Sequence, residues 1–238
     1  MAQYENYMPY SAGLDSIEAV NSLFRKVYQY MAIGLILTSL TAYFTASSSA
    51  MLSFLYGSQY SFLILAIAEI GLVIYLSAAI NKLSASTALI LFYVYSVLNG
   101  LTISSVLLVY TSESVYKAFL STAGMFGAMS LYGLYTKSDL TGMGSFLRMG
   151  LFGLIIAMVI NMFVGSSTAE LVISILGIII FLGLTAYDTA KIKAMASSFD
   201  GQDENLTGKV AVLGALALYL DFINIFLYLL RLFGRERN

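Results

Sequence analysis

"ALYLDFINIFLYLLRLFG", residues 217–234, is an apolar stretch long enough to cross a bilayer, yet it carries an aspartate, Asp221, near its middle. A spanning helix takes about 20 mostly apolar residues, and a central aspartate costs about 2.5–3.5 kcal/mol to insert. The neighbouring leucines, isoleucines and phenylalanines are apolar enough to offset that cost. A carboxylate in such a place faces a bundle interior or a water-filled cavity and has a partner there. The segment therefore reads as a membrane helix built around one charge.

The rest of the chain agrees. Of its 238 residues 59% are hydrophobic and only 11% charged, against about 25% charged in a soluble domain. Such a chain cannot cover a water-facing surface, so it is an integral membrane protein. It has no cysteine and no histidine, which excludes thiol chemistry, disulfides, thiolate or imidazole metal sites, Ser–His catalysis and imidazole pH sensing. Proton or cation chemistry falls to carboxylates, amides, hydroxyls, lysine and arginine. No resident cofactor and no enzymatic activity are expected, and no basic patch suits a nucleic acid. The opening "MAQYENYMPYSAGLDSIEAV" lacks the basic and apolar regions of a signal peptide and reads as a cytoplasmic tail.

Apolar runs at 27–46, 62–80, 88–110, 118–136, 149–165, 171–187 and 210–230 give seven candidate spans. Strand-like alternation is absent from them, so they read as helices. The polar clusters "SSS" (47–49) and "GSQYS" (57–61) mark a turn between the first two. The fold expected is an all-α integral membrane protein of seven transmembrane helices. Its division is a tail at 1–24, a membrane domain at 25–234 and a C-terminal tail at 235–238.

With the N-terminus in the cytoplasm, Arg25, Lys26, Lys82, Lys137, Arg148, Lys191, Lys193 and Lys209 fall inside and only Lys117 outside. That is the lysine and arginine bias of cytoplasmic loops. Arg231, Arg235 and Arg237 run against it, so the last segment either crosses fully despite its tail or is re-entrant; a full crossing is preferred. Glycines inside the spans (Gly124, Gly127, Gly150, Gly153, Gly177 and Gly183) read as close-packing positions between helices. The stretch 194–208 is the longest polar connection and reads as a mobile loop.

Three carboxylates fall within or at the edge of spans: Glu69, Asp188 and Asp221. Asp221 and Asn224 share a helix face, with Tyr228 a turn further on, so this polar stripe points inward. Asp188 lies at the end of the sixth span in "LTAYDTAKIK", where a solvated carboxylate paired with Lys191 is one reading and a buried functional group another. Glu69 is equally a hydrogen-bonded structural residue or part of a shared cavity. Asn99, Asn161 and Asn224 are buried amides suited to interhelical hydrogen bonds.

"AYDTAKIK" followed by "ALYLDFINIFLYLLRLFG" resembles the Bax inhibitor-1 (transmembrane Bax inhibitor motif) family in its bacterial branch. So do "GLTISSVLLVYT" (100–111) and "MSLYGLYTKSDLTGMGSFLRMGLFGLIIAMVIN" (129–161). The resemblance covers roughly residues 25–234. It implies seven helices with the last one central, a pH-sensitive calcium leak, and a pH sensor made of two aspartates on the last two helices. By motif these are Asp188 and Asp221, and the family glutamate of the second helix is Glu69. Bacterial relatives carry a late second-helix arginine that latches onto the sixth-helix aspartate. The matching position here is Ile80, and the nearest cation is Lys82, a poor copy of a bidentate arginine.

Two carboxylates close together in low dielectric share a proton and titrate as a unit. The shared proton ties the sixth helix to the seventh; losing it, or exchanging it for a divalent cation, lets the helices shift. Calcium takes six to eight hard oxygen ligands. Asp188 and Asp221, with Asn224, Glu69 and water nearby, supply a weak site rather than a cage, as a permeant ion needs. The expected partners are the lipid bilayer, protons and calcium. A proton-coupled transporter and a regulator that binds membrane proteins through the acidic "DGQDE" (200–204) are the rival readings. An intramembrane aspartyl protease is disfavoured, because "LYL" rather than Gly-x-Gly precedes Asp221.

Overall fold

The computed structural model describes residues 10–197 and 203–237. Its helices are α1 (Tyr10–Ala46), α2 (Ser49–Tyr56), α3 (Gln59–Ala79), α4 (Ala85–Val109), α5 (Ser112–Tyr135), α6 (Thr141–Val164), α7 (Ser167–Ser197) and α8 (Glu204–Phe233). One 3₁₀ turn, Ile80–Lys82, follows α3. Residues 198–202, and with them most of the acidic stretch at 200–204, lie outside the described residues.

The polar clusters end helices by capping the next one. Ser48 accepts from the Met51 N–H, Ser58 from Tyr60, Ser84 from Thr87 and Thr111 from Ser114. Each hydroxyl satisfies an N–H that a helix start would otherwise leave unpaired. Asp203 does the same for α8, accepting from the N–H groups of Asn205 and Leu206 at 2.9 and 3.0 Å. Asp203→Ala should lower stability by about 1 kcal/mol, read as an earlier thermal unfolding transition in detergent.

Six helices among the described residues are long and apolar enough to cross a membrane. The sequence predicts seven. The difference is α5, whose 24 residues have the length, about 36 Å, but include serines, threonine, glycines and the pair Glu113 and Lys117. The chain is thus an all-helical membrane protein with six candidate spans among the described residues. Helices also outrun the predicted spans: α1 begins at Tyr10 and buries Leu23 and Phe24. Likewise α6 begins at Thr141, placing Arg148 inside it, and α7 continues to Ser197. Charges limit an apolar run without limiting a helix.

α8 is the most deeply buried helix and packs against α1, α4, α5 and α7. Val212, Ala215, Leu218, Tyr219 and Ile225 are all inaccessible to solvent. The helix is one unbroken run from end to end of the bundle. Near its start Asn205 Oδ1 accepts from the Ala85 N–H at 2.9 Å and Lys209 donates to the Asn81 carbonyl at 3.2 Å. Beyond its end the Thr111 N–H donates to Arg235 O at 3.0 Å and the Arg237 N–H to Val109 O at 2.7 Å, with Tyr110 and Glu236 paired as an antiparallel bridge. The two ends of α8 therefore meet the two opposite ends of α4. A re-entrant course would return both to one side.

Candidate functional site: two carboxylates between α7 and α8

Asp221 is 4% exposed, and its Oδ2 has no hydrogen-bond partner among the described residues. It lies beside Thr185 of α7, whose hydroxyl donates to the Phe181 carbonyl oxygen at 2.8 Å, and within electrostatic reach of Asp188, one turn further along that helix. The antiparallel packing of α7 on α8 makes this register: Gly177 lies under the Tyr228 ring and Gly214 against Ile192, with Thr185 and Asp221 between these two contacts. The bundle thus brings Asp188 and Asp221 within electrostatic reach of each other, in a place that a lone charged carboxylate would occupy only at a high desolvation cost.

Asp188 is half-buried and lies well inside α7 rather than at its end. Two cations act on it, Lys191 from its own helix and Arg148 from α6. Arg148 stands over the Tyr187 ring, 5.4 Å from its centroid, a stacking that suits guanidinium better than ammonium. Lys82, the cation nearest the latch position in the sequence, is exposed in the 3₁₀ turn. The cation from another helix is Arg148 instead, which the sequence hid by placing it at the edge of an apolar run. Its spacing ahead of "GLFGLII" gives no signal of the α6–α7 contact.

Small residues set how closely the neighbouring helices approach this pair. A Cβ at Gly133 of α5 would meet the Ala186 carbonyl oxygen and Thr189, on either side of Asp188, and one at Gly144 of α6 would enter the Tyr187 ring. The close-packing reading of span glycines holds for Gly177 and Gly183. It fails for Gly124, Gly127 and Gly153, which have open space beside them. Lys193 Nζ donates to Leu134 O at 2.7 Å, closing the C-terminal end of α5 onto α7.

Removing Arg148 takes away a charge that favours the ionised pair. Arg148→Gln should move the onset of any pH-dependent activity to higher pH, by up to about one unit, without altering activity at the high-pH plateau. A pH titration of the variant beside the wild type measures it.

The other predicted site residues go elsewhere. Asn224 is half-buried and donates to the Leu220 carbonyl of its own helix at 2.8 Å. Glu69 accepts from Asn99 Nδ2 at 3.3 Å and from the Thr102 hydroxyl, both on α4. That chain continues through Tyr219, which is two residues from Asp221 and so about 200° around α8. Glu69 therefore belongs to a network on the opposite face of the central helix. No group of three or more acidic side chains able to hold a metal occurs among the described residues, so the pair offers two carboxylates and no cage.

Comparison with known proteins matches the sequence to one family. The family model described as "Inhibitor of apoptosis-promoting Bax1" matches residues 20–238. The chain is 48% identical over 212 residues to "Inner membrane protein YbhL" of Escherichia coli K12, covering 89% of this chain and 91% of the relative. It is 45% identical over 218 residues to an uncharacterized protein of Borreliella burgdorferi, covering 92% and 94%. A membrane protein of Streptococcus pyogenes serotype M1 is 38% identical over 219 residues, covering 91% and 94%. With a matching family model over nearly its whole length and an aspartate brought from each of its last two helices, the chain belongs to the Bax inhibitor-1 family, a family of non-enzymatic membrane proteins.

Proposed function

We propose that this protein is a pH-sensitive calcium leak pathway of the bacterial inner membrane, gated by a proton shared between Asp188 and Asp221. The observation that carries the reading is the meeting of these two carboxylates from α7 and α8, with an oxygen of the buried Asp221 left unpartnered. A pair of like charges in low dielectric holds one proton between them, and that proton binds α7 to α8. Raising the pH removes it, the two charges repel, and the contact loosens. The exposed negative pair then attracts a cation without caging it. In this reading α5, which packs against α7 and α8, is the seventh crossing: Thr122 and Ser130 are buried in the bundle, and the exposed Glu113–Lys117 ion pair stands near its N-terminal end, at the membrane edge. The N-terminus is cytoplasmic, and the C-terminal residues 235–238 lie on the outer side. The membrane named for the Escherichia coli relative supports the location.

The test is reconstitution in liposomes containing a calcium dye, with calcium entry followed from about pH 6 to 8. Entry that rises with pH supports the reading. Liposomes that stay tight at every pH contradict it. Solute uptake driven by an imposed proton gradient would then favour a transporter.

A further inference from the structure

The polar network on the far side of α8 contains a residue that the aspartate pair does not use. Tyr219 is completely buried, with its ring edge-on to Phe92 and Tyr95 at centroid distances of 5.6 and 5.8 Å. Its hydroxyl donates to Asn99 Oδ1 at 3.0 Å and lies 2.6 Å from Thr38 Oγ1. Thr38 Oγ1 is also 2.8 Å from Ser96 O and 3.0 Å from Gly34 O. Asn99 Nδ2 in turn donates to Glu69.

The Asn99 amide sets the direction of this chain: its NH₂ faces Glu69 and its oxygen faces Tyr219. The single tyrosine proton goes to that oxygen. The threonine's single proton is shared among the three oxygens around it, those of Tyr219, Ser96 and Gly34. One hydroxyl thereby joins α8 to α1 and α4 directly and to α3 through Asn99, in a region where no water competes. The ionisable groups in electrostatic reach of Tyr219 are Tyr95 and Glu69.

The aspartate pair holds α8 to α7 on one face, and the tyrosine hydroxyl holds it to α1 and α4 on the other. We propose that Tyr219 is a positioning residue that latches the closed bundle through Thr38 and Asn99. The proposal rests on the pH-gated leak reading. Loss of the hydroxyl strands Asn99 Oδ1, a buried acceptor, only while the helices are in the closed arrangement. Once they separate, that acceptor is free to find water.

The experiment compares wild type, Tyr219→Phe, Thr38→Val, Asp188→Asn and Asp221→Asn in calcium-dye liposomes across pH, with thermal unfolding of each protein. Tyr219→Phe should raise entry at the low-pH, closed end by about five- to tenfold. Its midpoint should move to lower pH by up to about one unit. Thr38→Val should move the midpoint the same way, giving a second reading if the tyrosine variant folds poorly. If unfolding temperatures fall while both midpoints stay at the wild-type pH, Tyr219 is merely structural and the latch is overturned. In that case the wild type still responds to pH and the aspartate variants still alter the response. If the wild type and both aspartate variants are equally tight at every pH, the gating reading fails and the latch falls with it.

Discussion

On the proposed gate, Asp221→Asn should abolish the pH dependence of calcium entry. A gate controlled by one proton changes its open-to-closed ratio by at most about tenfold per pH unit, so wild-type entry varies by up to about 100-fold between pH 6 and 8. Asparagine fills the volume of the carboxylic acid, but it neither loses a proton nor repels Asp188. Entry through Asp221→Asn should therefore vary by no more than about twofold over the same range, with the variant folded and monodisperse in detergent. The effect is large because the residue is buried at 4% exposure and lacks any other partner for Oδ2 among the described residues. A buried group of this kind interacts with little besides the neighbour that shares its proton.

The second large effect is on folding. Gly133→Ala places a methyl group against the Ala186 carbonyl oxygen and Thr189. The nearest obstacle is backbone, which has no alternative rotamer, so α5 and α7 must part along their contact. Overpacking of this kind costs about 1–3 kcal/mol, and here the upper end applies. Gly124→Ala, two and a half turns earlier on the same helix, meets nothing within 4 Å. It should stabilise the protein slightly, by up to about 1 kcal/mol, through helix propensity. Thermal unfolding of the two variants in one detergent measures both, and opposite signs are expected. Because Ala186 and Thr189 flank Asp188, the folded fraction of Gly133→Ala should also show a displaced pH response.

Much of this architecture was legible in the chain. Apolar runs marked the helices, and serine clusters marked the breaks because those same hydroxyls cap the helices that follow. Asp221 was legible as a buried charge from its surroundings alone, and its nearness to Asp188 from the resemblance of "AYDTAKIK" and "LYLDFIN". Three features were not. α5 balances serines and glycines against its apolar residues, so composition cannot separate a crossing helix from a surface one. Arg148 looked like a loop cation because a charge ends an apolar run even where the helix continues through it. Tyr219 looked like one more aromatic in a greasy segment. Its role depends on Thr38 and Asn99, which are far away in sequence and reach it only through the packing of α1 and α4 on α8. Glu69 was equally consistent with a structural bond and a shared cavity, and the fold puts it in the Tyr219 network.

The central claim is that Asp188 and Asp221 act as one titrating unit, and the most direct measurement is a double-variant comparison. Calcium entry would be recorded across pH for Asp188→Asn, Asp221→Asn and the two substitutions together. If a single shared proton sets the gate, removing either partner removes the switch. The double variant then retains no more pH dependence than either single one, and the effects are far from additive. Two single variants that each keep part of the pH response, with losses that sum in the double variant, would mean independent sites and contradict the shared-proton gate.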